Sequence, residues 1–247
     1  MTASAYILCT APRSGSTLLC RMLAATGVAG APNSHFHRPS LDDWRRSHAL
    51  PPDAALPDII AAVQAKGTAD TGVFGLRLQR HSFDFFIGQL QVLHSTLPSD
   101  LARIEATFGP TVFLHLTRPD KLDQAISYLL ASQSGLWHRH ADGTELERLS
   151  AGTAQGYDAT AIAQQIKEFR AADAAWTAWF AAQGITPLSV TYDALAAHPT
   201  DVLARALRHI GQDPKNAKGL GPDTAKLADA TNAAWRQRFL AERPETQ

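Results

Sequence analysis

Two short clusters of anion-binding residue types stand at matching places in this chain. Arg13-Ser14-Gly15-Ser16-Thr17 follows the apolar run Tyr6-Ile7-Leu8-Cys9-Thr10-Ala11 and leads into Leu18-Leu19, where helical periodicity begins. Arg118-Pro119-Asp120 follows Thr111-Val112-Phe113-Leu114-His115-Leu116-Thr117 and leads into Leu122, Ala125, Ile126, Leu129 and Leu130 at helical spacing, with Ser127 among them. A turn of small hydroxyl residues around a glycine lets backbone N–H groups converge at a helix N-terminus, where unpaired donors and the helix dipole favour negative charge. Each turn also begins with an arginine, whose planar guanidinium forks onto phosphate or sulfate oxygens. The chemistry on offer is the holding of a phosphorylated or sulfated ligand. Taken singly, an arginine at a strand end is ordinarily a solvated or salt-bridged surface residue, and Ser14, Ser16 and Thr17 are ordinary caps for a helix. Capping alone does not require Arg13 and Gly15 beside the hydroxyls.

Compared with the nucleotide-triphosphatase pattern of Gly, four residues, then Gly-Lys-Ser/Thr, Gly15 and Thr17 fit the end of the loop. Thr10 stands in place of the first glycine and Ser16 in place of the lysine. A triphosphate's terminal charge thereby loses its usual partner, which counts against an ATPase or a P-loop kinase binding Mg-ATP; the kinase stays as an alternative. His35-x-His37 and His138-x-His140 can each present two imidazoles on one side of an extended segment, but no third ligand follows at suggestive spacing. No metal site is expected. Cys9 and Cys20, the two cysteines, read as buried and reduced.

Strand and helix patterns alternate along the chain, which predicts an α/β fold: a three-layer sandwich with a mainly parallel central sheet, P-loop nucleotide-hydrolase-like in outline. The spacing predicts strands at 6–11, 73–78, 111–117 and 187–192, and helices at about 57–66, 81–94, 98–107 and 200–211. Ser40-Leu41-Asp42-Asp43 resembles a helix-starting capping box inside an irregular stretch from 28 to 56. A polar stretch at 138–158 precedes a long amphipathic helix carrying Ile162, Ile166, Phe169, Trp176 and Phe180, and a last helix carries Trp235 and Phe239. Without a linker or composition break, residues 1–247 read as a single domain. Lys and Arg number 23 and Asp and Glu 23, so no electrostatic footprint for nucleic acid is visible. No signal segment or membrane span is read, which makes the cytoplasm the expected location.

The chain resembles the bacterial sulfotransferases that use 3′-phosphoadenosine-5′-phosphosulfate (PAPS), and within them the trehalose 2-sulfotransferase type. The resemblance covers most of the chain. It rests first on Arg13-Ser14-Gly15-Ser16-Thr17-Leu18-Leu19, which looks like the 5′-phosphosulfate loop, and on Arg118-Pro119-Asp120 through Gln124-Ala125 to Ser127, which looks like the 3′-phosphate motif. Weaker echoes are Gly27-Val28-Ala29-Gly30, Trp137, Gly211-Gln212-Asp213-Pro214, and Lys226-Leu227-Ala228-Asp229 leading to Trp235. The resemblance implies that Arg13, Ser14, Gly15, Ser16 and Thr17 hold the 5′ side of the donor while Arg118 and Ser127 hold the 3′-phosphate. It further implies a homodimer, the bisphosphate PAP as product, and a basic residue near the transferred group at Arg77, although a surface arginine is the alternative there.

The acceptor side departs from the pattern. The trehalose enzyme type has Glu-Pro, one residue, then a glutamate that serves as base; here the segment is Ala31-Pro32-Asn33-Ser34-His35-Phe36-His37. A serine hydroxyl is too weak a base for Ser34 to take the role, which moves it to His35, with His37 as the alternative. The expected function is sulfuryl transfer to the hydroxyl of a carbohydrate, glycolipid or other small metabolite. A non-catalytic domain that binds PAP or a partner is the second reading.

Overall fold

A computed structural model describes residues 4–139, 142, 144–222 and 230–242. In chain order the first half comprises β1 (Ala5–Thr10), α1 (Ser16–Ala25), α2 (Leu41–Ser47), α3 (Leu56–Thr68), β2 (Phe74–Gln79), α4 (Arg80–Leu93), α5 (Asp100–Phe108) and β3 (Thr111–Thr117). The second half comprises α6 (Lys121–Ser134), the hairpin β4 (Leu136–Arg139) and β5 (Glu145–Arg148), α7 (Ala159–Ala182), β6 (Leu188–Thr191), α8 (Tyr192–Ala197), α9 (Pro199–His209), a 3-10 turn at Pro214–Ala217, and α10 (Ala230–Glu242).

The central sheet runs in the order β2-β1-β3-β6, and every pairing in it is parallel. Parallel strands are covered on both faces, which is why β1 is an unbroken buried run. Alternation then splits its side chains between two cores. Ile7 and Cys9, with Phe74, Leu76, Leu78 and Phe113, pack against α3, α4, α5 and α7. Tyr6 and Leu8, with Leu114, Leu116 and Val190, pack against α1, α8 and α9. This is the expected three-layer α/β arrangement with a parallel sheet, and Cys9 and Cys20 are free and buried within it.

From β1 the chain steps to β2 on one side and later crosses to β3 on the other, so the strand order reverses between β1 and β3. In open α/β sheets, ligands bind in the crevice outside the strands' carboxyl ends at such a switch point. Both arginine-led turns sit there.

Pro119 lies outside α6, whose N-cap is Asp120 with its carboxylate accepting from the Asp123 N–H at 2.8 Å. Two local readings are corrected. Tyr192, expected to close a strand, begins α8 because Thr191 caps that helix and turns the chain. The polar stretch after 138 contains the antiparallel hairpin β4–β5, whose four-residue strands are too short and polar to show a period in sequence.

Trp176 joins the layers at the end of β1: its side chain is fully buried, its indole N–H donates to the Thr10 carbonyl at 3.0 Å, and its ring lies against Phe83 and Phe180. Trp176→Ala is expected to lower the unfolding free energy by about 3–5 kcal/mol in urea denaturation. A loss no greater than the roughly 0.5 kcal/mol of a surface change would contradict this packing.

Candidate active site

The loop after β1 is locked from beneath. Thr10 is buried, and its hydroxyl donates to the Leu116 carbonyl at 2.7 Å while meeting the Ser14 hydroxyl. The buried Gln124 amide donates to the Pro12 carbonyl at 2.7 Å, tying the loop to α6. Arg13 takes φ +63°, uncommon for a residue with a side chain, and Gly15 takes φ +87° as the N-cap of α1. No side chain caps this helix. The reading in which Ser14, Ser16 and Thr17 serve as caps is therefore overturned, and the first-turn N–H groups keep their capacity for an anion.

Gly15 is required for a second reason. A Cβ built there would lie 2.7 Å from Cδ2 of Tyr192. The face of that ring also carries Arg118, whose guanidinium carbon sits 4.5 Å from the ring centroid. The carboxyl ends of β1, β3 and β6 thus meet through Gly15, Arg118 and Tyr192.

Arg13 and Arg118 lie close together. The Arg118 guanidinium donates to the Arg13 carbonyl at 3.4 Å, and the Arg13 pKa is lowered to about 10 by burial and by Arg118. Among the described residues Arg118 has one carboxylate within salt-bridge distance, Asp123 at 3.6 Å, and that carboxylate is shared with Arg236 at 2.7 Å. Ser127, expected beside Arg118, instead accepts from Nε of Arg13 at 3.0 Å. It still lines the same cleft as both arginines.

That cleft has a volume of about 1030 Å³. Arg13, Gly15, Ser16, Thr17, Arg77, Arg118 and Ser127 all line it, whereas Ser14 faces inward to Thr10. At its far end Arg77 is pinned by four uncharged acceptors: Thr17 and Ser34 hydroxyls at 2.7 Å, and the Ser16 hydroxyl and Asn33 amide oxygen at 3.4 Å. Asn33 is set beside β2 by a parallel bridge to Leu76. Among the described residues Arg77 forms no ion pair, so its charge is left for a ligand.

His35 does not line the cleft. After Asn33 the chain turns to bury Phe36 against Trp44 and Phe86, and of the two histidines flanking it His37 alone reaches the cleft. The His35 ring packs 5.4 Å from that of His48, bonds the Ala31 backbone, and has its pKa lowered to about 4 by burial and by His48. His37 does line the cleft, edge-on to His81 at 5.1 Å, with its pKa lowered to about 4 by burial and by His81.

The hairpin β4–β5 adds residues that sequence reasoning did not place here. Arg13 donates to the Trp137 carbonyl, and the next residue, His138, sets its Nε2 3.0 Å from the Thr17 hydroxyl. Its cross-strand neighbour is Glu147, with a carboxylate oxygen 3.5 Å from the same nitrogen. Burial, then Arg13, Arg77 and Arg21, lower the His138 pKa to about 3. The one signal in sequence was the His-x-His spacing. His140 and Lys226-Leu227-Ala228-Asp229 lie outside the described residues. Among the described residues no cluster of three or more His, Cys, Asp or Glu side chains could hold a metal, and no helix is long and apolar enough to cross a membrane.

Fold and site together define an α/β protein with an arginine-rich anion cleft at the switch point of a parallel sheet. The chain matches the Stf0 sulphotransferase family over residues 5–242 and belongs to that family of enzymes. It is similar to trehalose 2-sulfotransferases from Mycobacterium tuberculosis, at 33% identity over 97% of this chain and 95% of the relative, and from Mycolicibacterium smegmatis, at 30% over 96% and 94%. A solved sulfotransferase from Alicyclobacillus acidocaldarius aligns at 12% identity and a TM-score of 0.45, over 98% of this chain and 92% of that one.

Burial of neutral imidazoles has a measurable consequence for stability. His35, His37 and His138 are depressed to about 4, 4 and 3, while an unfolded histidine titrates near 6.5. The unfolded chain therefore binds protons that the folded chain refuses, so stability is full above about pH 6.5 and lost as pH falls toward 4. The urea midpoint is expected to drop between about pH 7.5 and about pH 5, where carboxylates stay mostly ionised. A flat profile across that window would show these rings to be solvated.

Proposed function

We propose that this enzyme transfers a sulfuryl group from PAPS to a hydroxyl of a carbohydrate, glycolipid or other small metabolite. The observation that carries the reading is the pair of arginine-led turns opening on one cleft, bridged by Tyr192. A donor with anionic groups at both ends of an adenosine needs two such sites.

The residues present fit that donor. Gly15 lets the Tyr192 ring close against the loop, the α1 N-terminus carries no side-chain cap, and a cleft of about 1030 Å³ stands at the top of the usual range for ligand pockets, which leaves space for an acceptor. The first-turn N–H groups, Arg13, Ser16, Thr17 and Arg77 would hold the 5′ side. Arg118 and Ser127 would hold the 3′-phosphate, Ser127 by leaving Arg13. When bound, the donor supplies an activated sulfuryl group; the protein's part is to align a hydroxyl with it, neutralise charge on the oxygens around sulfur, and accept one proton. Arg77 suits the second task because its guanidinium has only neutral partners among the described residues.

A carbohydrate acceptor is supported by the two relatives named for trehalose. Trehalose itself is less well supported, since Ala31 and Ser34 stand where that type carries glutamates. The kinase reading is disfavoured by Ser16 at the lysine position of the loop. The proton is assigned to a histidine, and the position of His35 against His48, outside the cleft, argues against that residue.

Calorimetry with PAP and with Mg-ATP tests the reading. PAP is expected to bind without added metal, and Arg118→Ala to weaken it roughly 10- to 150-fold, the equivalent of losing a charge-assisted contact of about 1.5–3 kcal/mol. Equal PAP affinity in the variant, or preferential binding of Mg-ATP, would overturn it.

A further inference from the structure

We propose that His138, presented by the β4–β5 hairpin with Glu147 at its side, is the general base that takes the acceptor's hydroxyl proton, and that donor binding frees it to do so. The inference rests on the PAPS reading above. Its geometry is independent of that reading.

The hydroxyl of Thr17 joins the two halves of the argument. Its oxygen accepts from Arg77 at 2.7 Å and stands 3.0 Å from Nε2 of His138, to which it can give its own proton. A threonine hydroxyl has one proton to give. In the tautomer that accepts this bond, Nε2 is the unprotonated nitrogen of a neutral ring, the state a base must have before the reaction. Once the 5′ side of the donor occupies the loop, the Thr17 hydroxyl turns to its anionic oxygens, and the Nε2 lone pair loses its partner at the site where the acceptor must lie. The acceptor oxygen then forms its bond to sulfur as the bond from sulfur to the 5′-phosphate oxygen breaks, with the bonding pair leaving on PAP. The hydroxyl proton passes to Nε2 and is released to water after PAP departs.

The charges around His138 are arranged for the same sequence of events. Facing it are Arg13 from the loop, Arg21 from α1, Arg77 from β2 and Glu147 from β5. Burial first and then the cations keep the ring neutral in the free enzyme, and Arg13 and Arg77 are the cations the donor's charge offsets. Donor binding thus raises the basicity of the ring when it is needed. Glu147 then faces the newly protonated Nε2. Its carboxylate is about half exposed, so its contribution is small.

The other imidazoles of the cleft are less suited. His81 uses a ring nitrogen on the His37 backbone, and His37 packs edge-on against His81 rather than on the loop hydroxyls. Ser34 is held by Arg77.

The test uses the full chain with isotope-labelled histidine, titrated by NMR between about pH 4 and 8 with and without PAP. Loss of one signal in His138→Gln assigns the ring. The expected result is a ring that stays neutral across this window in the free enzyme and begins to protonate within it when PAP is bound, an effect reduced in part by Glu147→Gln. In parallel, PAP release from PAPS is followed with trehalose as acceptor, or with water where trehalose is not taken. His138→Gln should keep PAP affinity within a few-fold yet lose about 10²–10⁴ in turnover, and imidazole should restore part of the activity of His138→Gly. A ring whose protonation is unmoved by PAP, or full turnover in His138→Gln with the loss appearing in His37→Gln, would overturn the proposal. Failure of PAP to bind the unaltered enzyme would instead overturn the donor reading, which the calorimetry detects separately.

Discussion

The ring of Tyr192 is the contact on which the site depends. It fills the space over the α-carbon of Gly15 and supports the guanidinium of Arg118. Three strands already paired through backbone ladders are thereby linked at their carboxyl ends by one aromatic ring. The ring also offers a cation a surface that does not neutralise it, because attraction to a π-face leaves the formal charge in place. Arg118 is held in position yet keeps its capacity for a phosphate. A carboxylate at the same place would hold the arginine as firmly and cancel it.

The same economy of counter-charge runs across the cleft. A chain whose formal charges sum to zero nevertheless gathers Arg13, Arg77 and Arg118 along one groove. Arg77 is fixed by hydroxyls and an amide, Arg13 by a hydroxyl and a carbonyl, and Arg118 by a ring. The Asp residues nearest the second turn are shared with Arg236, which draws their charge away from Arg118. Neutral acceptors orient a guanidinium without paying down its field, so the groove stays attractive to a multiply charged anion. The lowered pKa of Arg13 records the cost: two cations crowded into a partly dry site are held there by the fold.

How far this could be read from the sequence follows from the range of the interactions. The parallel sheet and both anion turns were legible because strand, turn and helix signals are local and strong: β1 is apolar throughout, and Gly15 and Asp120 mark the starts of their helices. The three-layer arrangement follows from that alternation. The base was not legible, since it depends on contacts distant in sequence. His35 and His37 flank the buried Phe36 and His37 alone reaches the cleft, a difference that their spacing does not carry. His138 reaches the loop because Arg13 grips the Trp137 carbonyl across more than a hundred residues. Likewise Ser127 was expected on Arg118 and is found on Arg13, a choice between neighbouring arginines that helical spacing does not make.

The departure at Ser34 is best understood through Arg77. In the pattern this chain resembles, a glutamate occupies that place, and a carboxylate within reach of Nε of Arg77 would form an ion pair with it. Here the Ser34 hydroxyl accepts the same hydrogen bond at 2.7 Å and brings no charge. The guanidinium stays oriented while its positive charge is released to the ligand, which strengthens the electrostatic work Arg77 can do at the end of the phosphate loop. The exchange removes a base and gains a stronger anion holder in one substitution. It leaves the proton without a carboxylate acceptor at this position, and the groups bordering Thr17 on the opposite wall are then an imidazole and, behind it, Glu147. Changing one acidic residue therefore moves the proton's destination from the segment beside β2 to the hairpin, while the loop that holds the transferred group stays where it was.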